Sequence, residues 1–186
     1  MNRSRTRVLA AAADLLATGG LRALTHVRVD ERASLPKGST SNYFRTRATL
    51  LVGVSEWIVE QEMPTVATAF EPRTPAELVD GLCALLDIVT RDNRDLTAAR
   101  LVLFVEASHN KELREALSRG RAALEPAAVS AVAALGAPDP QAAAAAVIAC
   151  FEGVVLHRVA RNEYSDPRPV FDAVVRGALA RTDVPD

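Results

Sequence analysis

Cysteine is scarce, with two residues in 186, and aromatics make up only 4% of the chain, with a single tryptophan. Cys83 and Cys150 stand far apart, each inside an apolar run and neither beside a His or second Cys at metal-ligand spacing. They read as small core residues in a reducing, intracellular setting rather than as a disulfide framework. The three histidines, His26, His109 and His157, are scattered, and none has a Ser, Cys or carboxylate beside it in a catalytic pattern. A phosphate loop, a dinucleotide fingerprint, an HExxH motif and a paired-cysteine zinc site are all missing. The chain is therefore expected not to be an enzyme and to need neither cofactor nor metal. No uninterrupted apolar segment reaches the roughly 20 residues of a membrane span. The Arg-rich, then apolar start is interrupted by Asp14, unlike a signal peptide. A cytoplasmic protein with no membrane partner is expected.

What is present is a large apolar fraction, 49%, with 24% charged residues and modest glycine and proline, which excludes a disordered or low-complexity chain. Ala, Leu and Val dominate, favouring helices over a β-sandwich or barrel. The formal net charge of -1 hides a division. Residues 1–50 carry +6 from nine Lys and Arg against Asp14, Asp30 and Glu31, and the remainder carries -7. A basic segment on an acidic body points to an anionic partner met by one end, nucleic acid being the commonest, or else to an ordinary solvated cationic face.

Periodicity predicts helices throughout. Val8, Leu9, Ala12, Leu15 and Leu16 mark one face of a first helix, which Gly19-Gly20 ends. Thr25 caps a second, running to about Ala33. Leu35-Pro36 breaks it, and Pro36 suits the first turn of a third helix ending near Tyr43 or Phe44. Thr46 caps a fourth, with Leu50, Leu51, Val54, Trp57 and Ile58 on one face, until Pro64 forces a kink or break. Thr74-Pro75-Ala76-Glu77 combines a capping box with Pro at the first helical position. The segments Leu78 to Val89 and Leu96 to Val105 are apolar nearly all round, as central bundle helices should be. Asn110 opens a helix carrying Leu113, Leu117 and Leu124, which Pro126 is expected to kink. Asp139-Pro140 and Asp166-Pro167 launch helices of roughly 22 and roughly 15 residues. That makes about nine helices and an all-α fold.

The segment from Thr25 to Leu51 reads as helix, turn and helix followed by a new helix cap, with the second short helix strongly polar. So short a helix cannot stand alone in water, and Leu35, Thr40 and Phe44 are spaced to anchor it. That leaves Lys37, Gly38, Ser39, Ser41, Asn42 and Tyr43 outward. The set suits DNA: Lys37 for phosphate or guanine, Asn42 for adenine, Gly38 for close approach and the hydroxyls for phosphate. An exposed polar helix at the end of a bundle fits the same spacing.

Residues 5–52 resemble the TetR/AcrR transcriptional regulators. The likeness is carried by an Ala-rich first helix ending in Gly-Gly-Leu and by Thr25, Val29 and Ala33. It continues through the turn Ser34-Leu35-Pro36-Lys37-Gly38, then Tyr43-Phe44, Arg47 and Leu50-Leu51. The resemblance implies a three-helix helix-turn-helix DNA-binding domain over residues 1–48 and a helical ligand-binding and dimerisation bundle over 49–186. It makes Lys37, Ser39, Ser41, Asn42 and Tyr43 the face entering the major groove. Thr25, His26, Arg28 and Arg47 become phosphate-flanking residues. Four positions depart from the family's common pattern: Ser34 for Gly, Pro36 for Ser, Asp30 for Ala and Ser41 for Tyr. Asp30 is the least comfortable, and is expected to pair with a nearby Arg or to sit in solvent.

The resemblance further implies a homodimer on a palindromic double-stranded operator, released by a small-molecule effector that acts through the fourth helix, with repression the usual outcome. The last two helices offer Ala142 to Ala146 for close approach, and Val147, Phe151, Val155, Leu156, Phe171, Val175 and Leu179 as apolar surface. The same residues would equally complete a monomer core. Candidate effector contacts are Trp57, Phe70, Phe104, Glu106, His109 and Phe151, each also readable as core or surface. A helical small-molecule carrier that never meets DNA is the alternative function.

Overall fold

The computed structural model describes residues 3–67 and 71–180. Among the described residues it forms nine α-helices, one π-helical turn and no strand. The elements are α1 (Arg3–Ala23), α2 (His26–Arg32), α3 (Ser39–Tyr43), α4 (Arg47–Ala67), α5 (Pro75–Asp87), a π-turn (Ile88–Asp92), α6 (Arg94–Glu106), α7 (Lys111–Ala134), α8 (Pro140–Arg161) and α9 (Arg168–Leu179).

The chain packs as two compact units, Met1–Glu62 with Asn93–Arg121, and Met63–Asp92 with Ala122–Asp186. In the first, α1 lies along α6. Val8, Leu9, Leu16, Leu24, Leu50, Ile58, Leu103 and Leu113 join in its core. Gly20, at φ 63°, breaks α1 three residues before its end, where a left-handed turn was expected. Packing thus groups the chain differently from the functional boundary expected at residue 48, because α6 is built against α1. Thr97, Ala99 and Leu103 of α6 and Ala107 just after it are buried, whereas Phe104 and Val105 are exposed. The expectation of a helix apolar and buried nearly all round is corrected to one with a buried face and a face exposed at Phe104 and Val105. Helix α4 continues past Pro64 to Ala67, so that proline does not end it.

In the second unit, α5, α8 and α9 surround Leu78, Leu82, Leu86, Val147, Phe171 and Val175, with the Phe151 and Phe171 rings stacked 6.0 Å apart. The sequence-read caps form here. Thr74 Oγ1 accepts from the Glu77 amide at 3.2 Å while Glu77 accepts from the Arg73 amide at 2.7 Å. Asp139 accepts from the Ala142 amide at 3.0 Å. Asp166 accepts from the Arg168 amide, but α9 starts after Pro167 and spans 12 residues rather than the longer run expected.

By length and composition α8 is long and apolar enough to cross a membrane, although Glu152 and Arg158 interrupt its apolar run. Charge nevertheless ties this helix into the unit. Arg158, 5% exposed, donates from Nη1 to Asp87 at 2.5 Å and to Thr90 Oγ1 at 3.3 Å in the π-turn.

Hydrogen bonding and charge from Arg158 hold the Asp87 carboxyl below the usual carboxylate range. The pair therefore stabilises the fold at neutral pH, and that contribution is lost as acid protonates Asp87. Asp87 is half exposed and can fall back on water, whereas Arg158 cannot. Asp87→Ala should cost roughly 3 kcal/mol and Arg158→Met roughly 1 in urea unfolding, because the first strands a buried cation. Equal losses would contradict that asymmetry.

Candidate nucleic-acid interface

The two short helices are held by side chains that close their ends. Thr25, extended at φ -130°, caps α2 by accepting from the Arg28 amide at 3.3 Å. His26 does not face outward for phosphate: its Nε2 meets the Phe44 carbonyl at 2.7 Å, fastening the start of α2 to the end of α3. The turn passes through Ser34 at φ 52° and Gly38 at φ 90°. Both lie in the left-handed region that glycine adopts freely and serine adopts at a cost. Glycine at 38 is thus required by backbone conformation, beyond the close approach inferred from sequence. Helix α3 begins only at Ser39, so Pro36 and Lys37 lie in the turn and Pro36 is not at a helical first position.

Asp30 overturns its expectation most completely. It is 2% exposed, and neither pairs with an arginine nor meets solvent. Its Oδ2 accepts from the Gly38 amide at 2.7 Å, and its Oδ1 accepts from the Thr40 amide at 2.7 Å and the Thr40 hydroxyl at 2.6 Å. A carboxylate from α2 therefore caps α3 in place of a capping side chain of its own, since Gly38 has none. Thr40, fully buried, is an anchor as expected, but by hydrogen bonding rather than apolar contact. Asp and Thr each stand at an inward position, and two polar inward residues ten apart were the signal that they satisfy one another.

With its ends fixed, α3 and its turn bring together the outward residues. Lys37, Gly38, Ser41 and Asn42 are exposed, and Ser39 and Tyr43 are half-buried. The Ser39 hydroxyl donates to the Pro36 carbonyl at 2.6 Å. Phe44 is buried against Gly53, where a Cβ would come within 2.4 Å of its ring, so α4 can seat this aromatic only because residue 53 has no side chain.

The basic residues of the first 50 divide by duty. Arg7 donates to the Ala33 and Ser34 carbonyls, Arg32 pairs with Asp14, and Arg47 donates to the Leu21 carbonyl at 2.7 Å and the Leu24 carbonyl at 3.4 Å. Arg47 thus clasps the end of α1, a role its spacing did not reveal. Arg28, Lys37 and Arg45 are exposed on the same helix-turn-helix segment. Sequence reasoning passed over Arg45, although its place one residue after Phe44 was visible.

Of the candidate effector residues, the five that lie among the described residues are divided between the two units. Trp57 packs against the first unit's core, Glu106 is half-buried, and Phe104 and His109 are exposed. Phe151 lies in the second unit against Phe171, and Phe70 lies outside the described residues. An open groove of about 390 Å³, lined by Arg5, Tyr43, Phe44, Glu56, Glu112 and Arg119 among others, contains none of the six. Of the residues expected to meet a second copy, Val147, Val155, Phe171 and Val175 are buried in this chain's own core, while Phe151 and Leu179 are half-buried. Of the other residues considered for that role, Ala142, Ala145 and Leu156 are exposed on α8, as is Ala149, and on α9 Val170, Ala173 and Gly177 are exposed.

Residues 73–181 match the tetracyclin repressor-like C-terminal domain family. Among curated proteins none matches the sequence significantly. Solved structures with a similar fold include a transcriptional regulator from Rhodococcus sp. Rha1. It is 17% identical with a TM-score of 0.81, covering 94% of this chain and 95% of that one. A TetR transcription regulator from Haloarcula marismortui ATCC 43049 is 14% identical with a TM-score of 0.76, covering 96% and 95%. The multidrug binding protein EbrR complexed with ethidium is 22% identical with a TM-score of 0.74, covering 96% and 100%. At these identities the likeness speaks for the fold.

Removing the Asp30 carboxylate would leave three donors without their acceptor. Asp30→Ala should cost about 3 kcal/mol in urea unfolding, Thr40→Val about 1, and Asp30→Asn an intermediate amount, since one acceptor oxygen remains. A loss under roughly 0.5 kcal/mol for Asp30→Ala, as at an ordinary surface site, would refute the clamp.

Proposed function

Given that the chain belongs to the TetR family of transcriptional regulators, we propose that residues 1–48 read an operator through α3 while residues 49–186 sense a small molecule and pair two copies. The observation carrying this reading is the clamp on α3, which fixes a brief polar helix with Lys37, Ser41 and Asn42 turned outward. A helix preformed in this way spends less affinity on ordering itself when it enters a groove. Lys37, Arg28 and Arg45 supply phosphate contacts, and Thr25, His26 and Arg47 hold the surface in shape from its edges. Arg47, itself exposed, keeps a phosphate role alongside its clasp on α1. Gly38, Ser39, Ser41, Asn42 and Tyr43 meet the bases or the sugar-phosphate edge.

The homodimer forms through the outward faces of α8 and α9 rather than through the buried residues first considered. A Cβ at Gly153 or Gly177 would meet nothing within 4 Å, so this chain's own packing requires neither glycine. Glycine inside a helix costs up to about 1 kcal/mol, and close approach by a second copy supplies a reason to keep it. Two recognition helices related by a dyad then read a palindrome with half-sites about 34 Å apart or somewhat more. The setting is cytoplasmic, where the operator is, and the outcome is repression relieved by the effector. That EbrR holds ethidium supports small-molecule binding by this fold as the releasing signal.

Selection of bound fragments from random DNA tests the reading and should yield a palindrome. On that sequence Lys37→Ala and Arg45→Ala should weaken binding about equally on specific and random duplexes and flatten the salt dependence. Asn42→Ala should alter preference at one position by about 1 to 3 kcal/mol. Indifference to duplex at low salt would leave the helical carrier as the better account. In light scattering Ala149→Glu should convert a dimer to monomer and abolish operator binding, and a persistent dimer would exclude the α8–α9 face.

A further inference from the structure

Among the described residues of the first unit, three buried polar atoms lack a hydrogen-bond partner: Trp57 Nε1, Glu62 Oε1 and Arg100 Nε. Native proteins leave few such atoms, and each asks for an explanation. Two of them face one another. Glu62 on α4 and Arg100 on α6 approach to 3.2 Å, with side chains 12% and 25% exposed, yet the two atoms are not aligned for a hydrogen bond.

A buried ion pair offsets its desolvation only when good geometry adds hydrogen bonds to the Coulombic attraction. This pair has the attraction without the bonds between its nearest atoms. Burial accordingly pushes the Glu62 carboxyl above the usual carboxylate range, outweighing the pull of Arg100 in the other direction. The guanidinium comes from a side chain rooted in α6, whose position fixes the angle at which it can approach. A free amidinium or guanidinium has no such tether and can lay two parallel N–H donors on a carboxylate.

We infer that Glu62 anchors a small organic cation of the amidinium or guanidinium class, which takes the place of Arg100 on α4. The inference rests on the effector-released regulator described above and names the chemical class of its effector. Arg100, a quarter exposed, has water to turn to when displaced. Glu62 sits 15 residues after Arg47, roughly 22 Å along the helix that follows the recognition segment. Exchanging α6's arginine for a diffusible cation therefore removes one charged tie between α4 and α6, which otherwise share apolar core, and changes what holds the far end of the helix on which Gly53 seats Phe44.

Trp57, the sole tryptophan, lies five residues before Glu62 on the same helix and reports on the exchange. The test titrates the full-length protein without DNA with benzamidinium and with benzamide, its neutral counterpart of equal size, by calorimetry and Trp57 emission. Benzamidinium should bind at least tenfold more tightly than benzamide. Glu62→Gln should erase that preference while leaving benzamide unaffected, and Arg100→Met should tighten benzamidinium severalfold by removing its internal competitor. Equal binding of the two probes, no binding of either, or parallel weakening in both variants would overturn the site. Where Glu62→Gln fails to fold, Arg100→Met and the probe comparison still decide. On an operator, saturating benzamidinium should lower the affinity of the unaltered protein severalfold, and unchanged affinity would overturn the effector role. A protein that binds no duplex at all would instead overturn the regulator reading, while the probe titration would still judge the site.

Discussion

A single carboxylate, that of Asp30, decides whether the polar segment after α2 is a helix at all. Helix α3 has five residues, far too few to persist by its own hydrogen bonds. Its first turn would normally be closed by a side chain at its own cap, but the cap is glycine because the backbone there must adopt a positive φ. Asp30 supplies the missing acceptors from the neighbouring helix, at 2.6 to 2.7 Å to three donors. The opposite end is closed by His26 on the Phe44 carbonyl. Charged acceptors make stronger hydrogen bonds than neutral ones, and burial keeps water from competing for them. Helix α3 is thus held by polar contacts at both ends, with the apolar anchor Phe44 beneath.

Much of the fold could be read from the chain because its signals are local. Caps at Thr25, Thr74 and Asp139, and the apolar stripes of α1 and α4, depend on spacings of three or four residues and formed where those spacings placed them. What escaped depends on partners distant in sequence. Asp30 looked misplaced because Thr40 and Gly38 become its neighbours only once the turn has formed. The clasp of Arg47 on α1 escaped because nothing local shows that the Leu21 and Leu24 carbonyls lie beside it. Apolar residues of α8 and α9 were assigned to a partner for a similar reason. Periodicity shows that a stripe is apolar but not what covers it, and here the larger side chains are covered by α5 and by each other. Left outside are small residues such as Ala142, Ala145 and Ala149, together with Leu156 and Val170.

The same division of labour recurs in how charge is used. Arginines are spent on holding helix ends and corners: Arg7 and Arg47 on carbonyls near the ends of α2 and α1, and Arg158 on the π-turn. The strong positive charge of the first 50 residues is therefore only partly available to an anionic partner. That portion is displayed by Arg28, Lys37 and Arg45 around α3, where it bears on recognition. At Glu62 and Arg100 two charges are brought together in a largely buried place with their nearest atoms unaligned for a hydrogen bond. A mismatch of this kind is where a ligand of better geometry gains most.

Amide hydrogen exchange of the free protein measures the clamp directly, because it reports each backbone donor before any DNA is present. If Asp30 preforms the recognition helix, the Gly38 and Thr40 amides will exchange orders of magnitude more slowly than the exposed amides of the neighbouring turn, and with similar protection to each other. Exchange of both at the rate of an unstructured chain, with protection arising only when duplex is added, would show that DNA rather than Asp30 orders the helix and would contradict the account at its root.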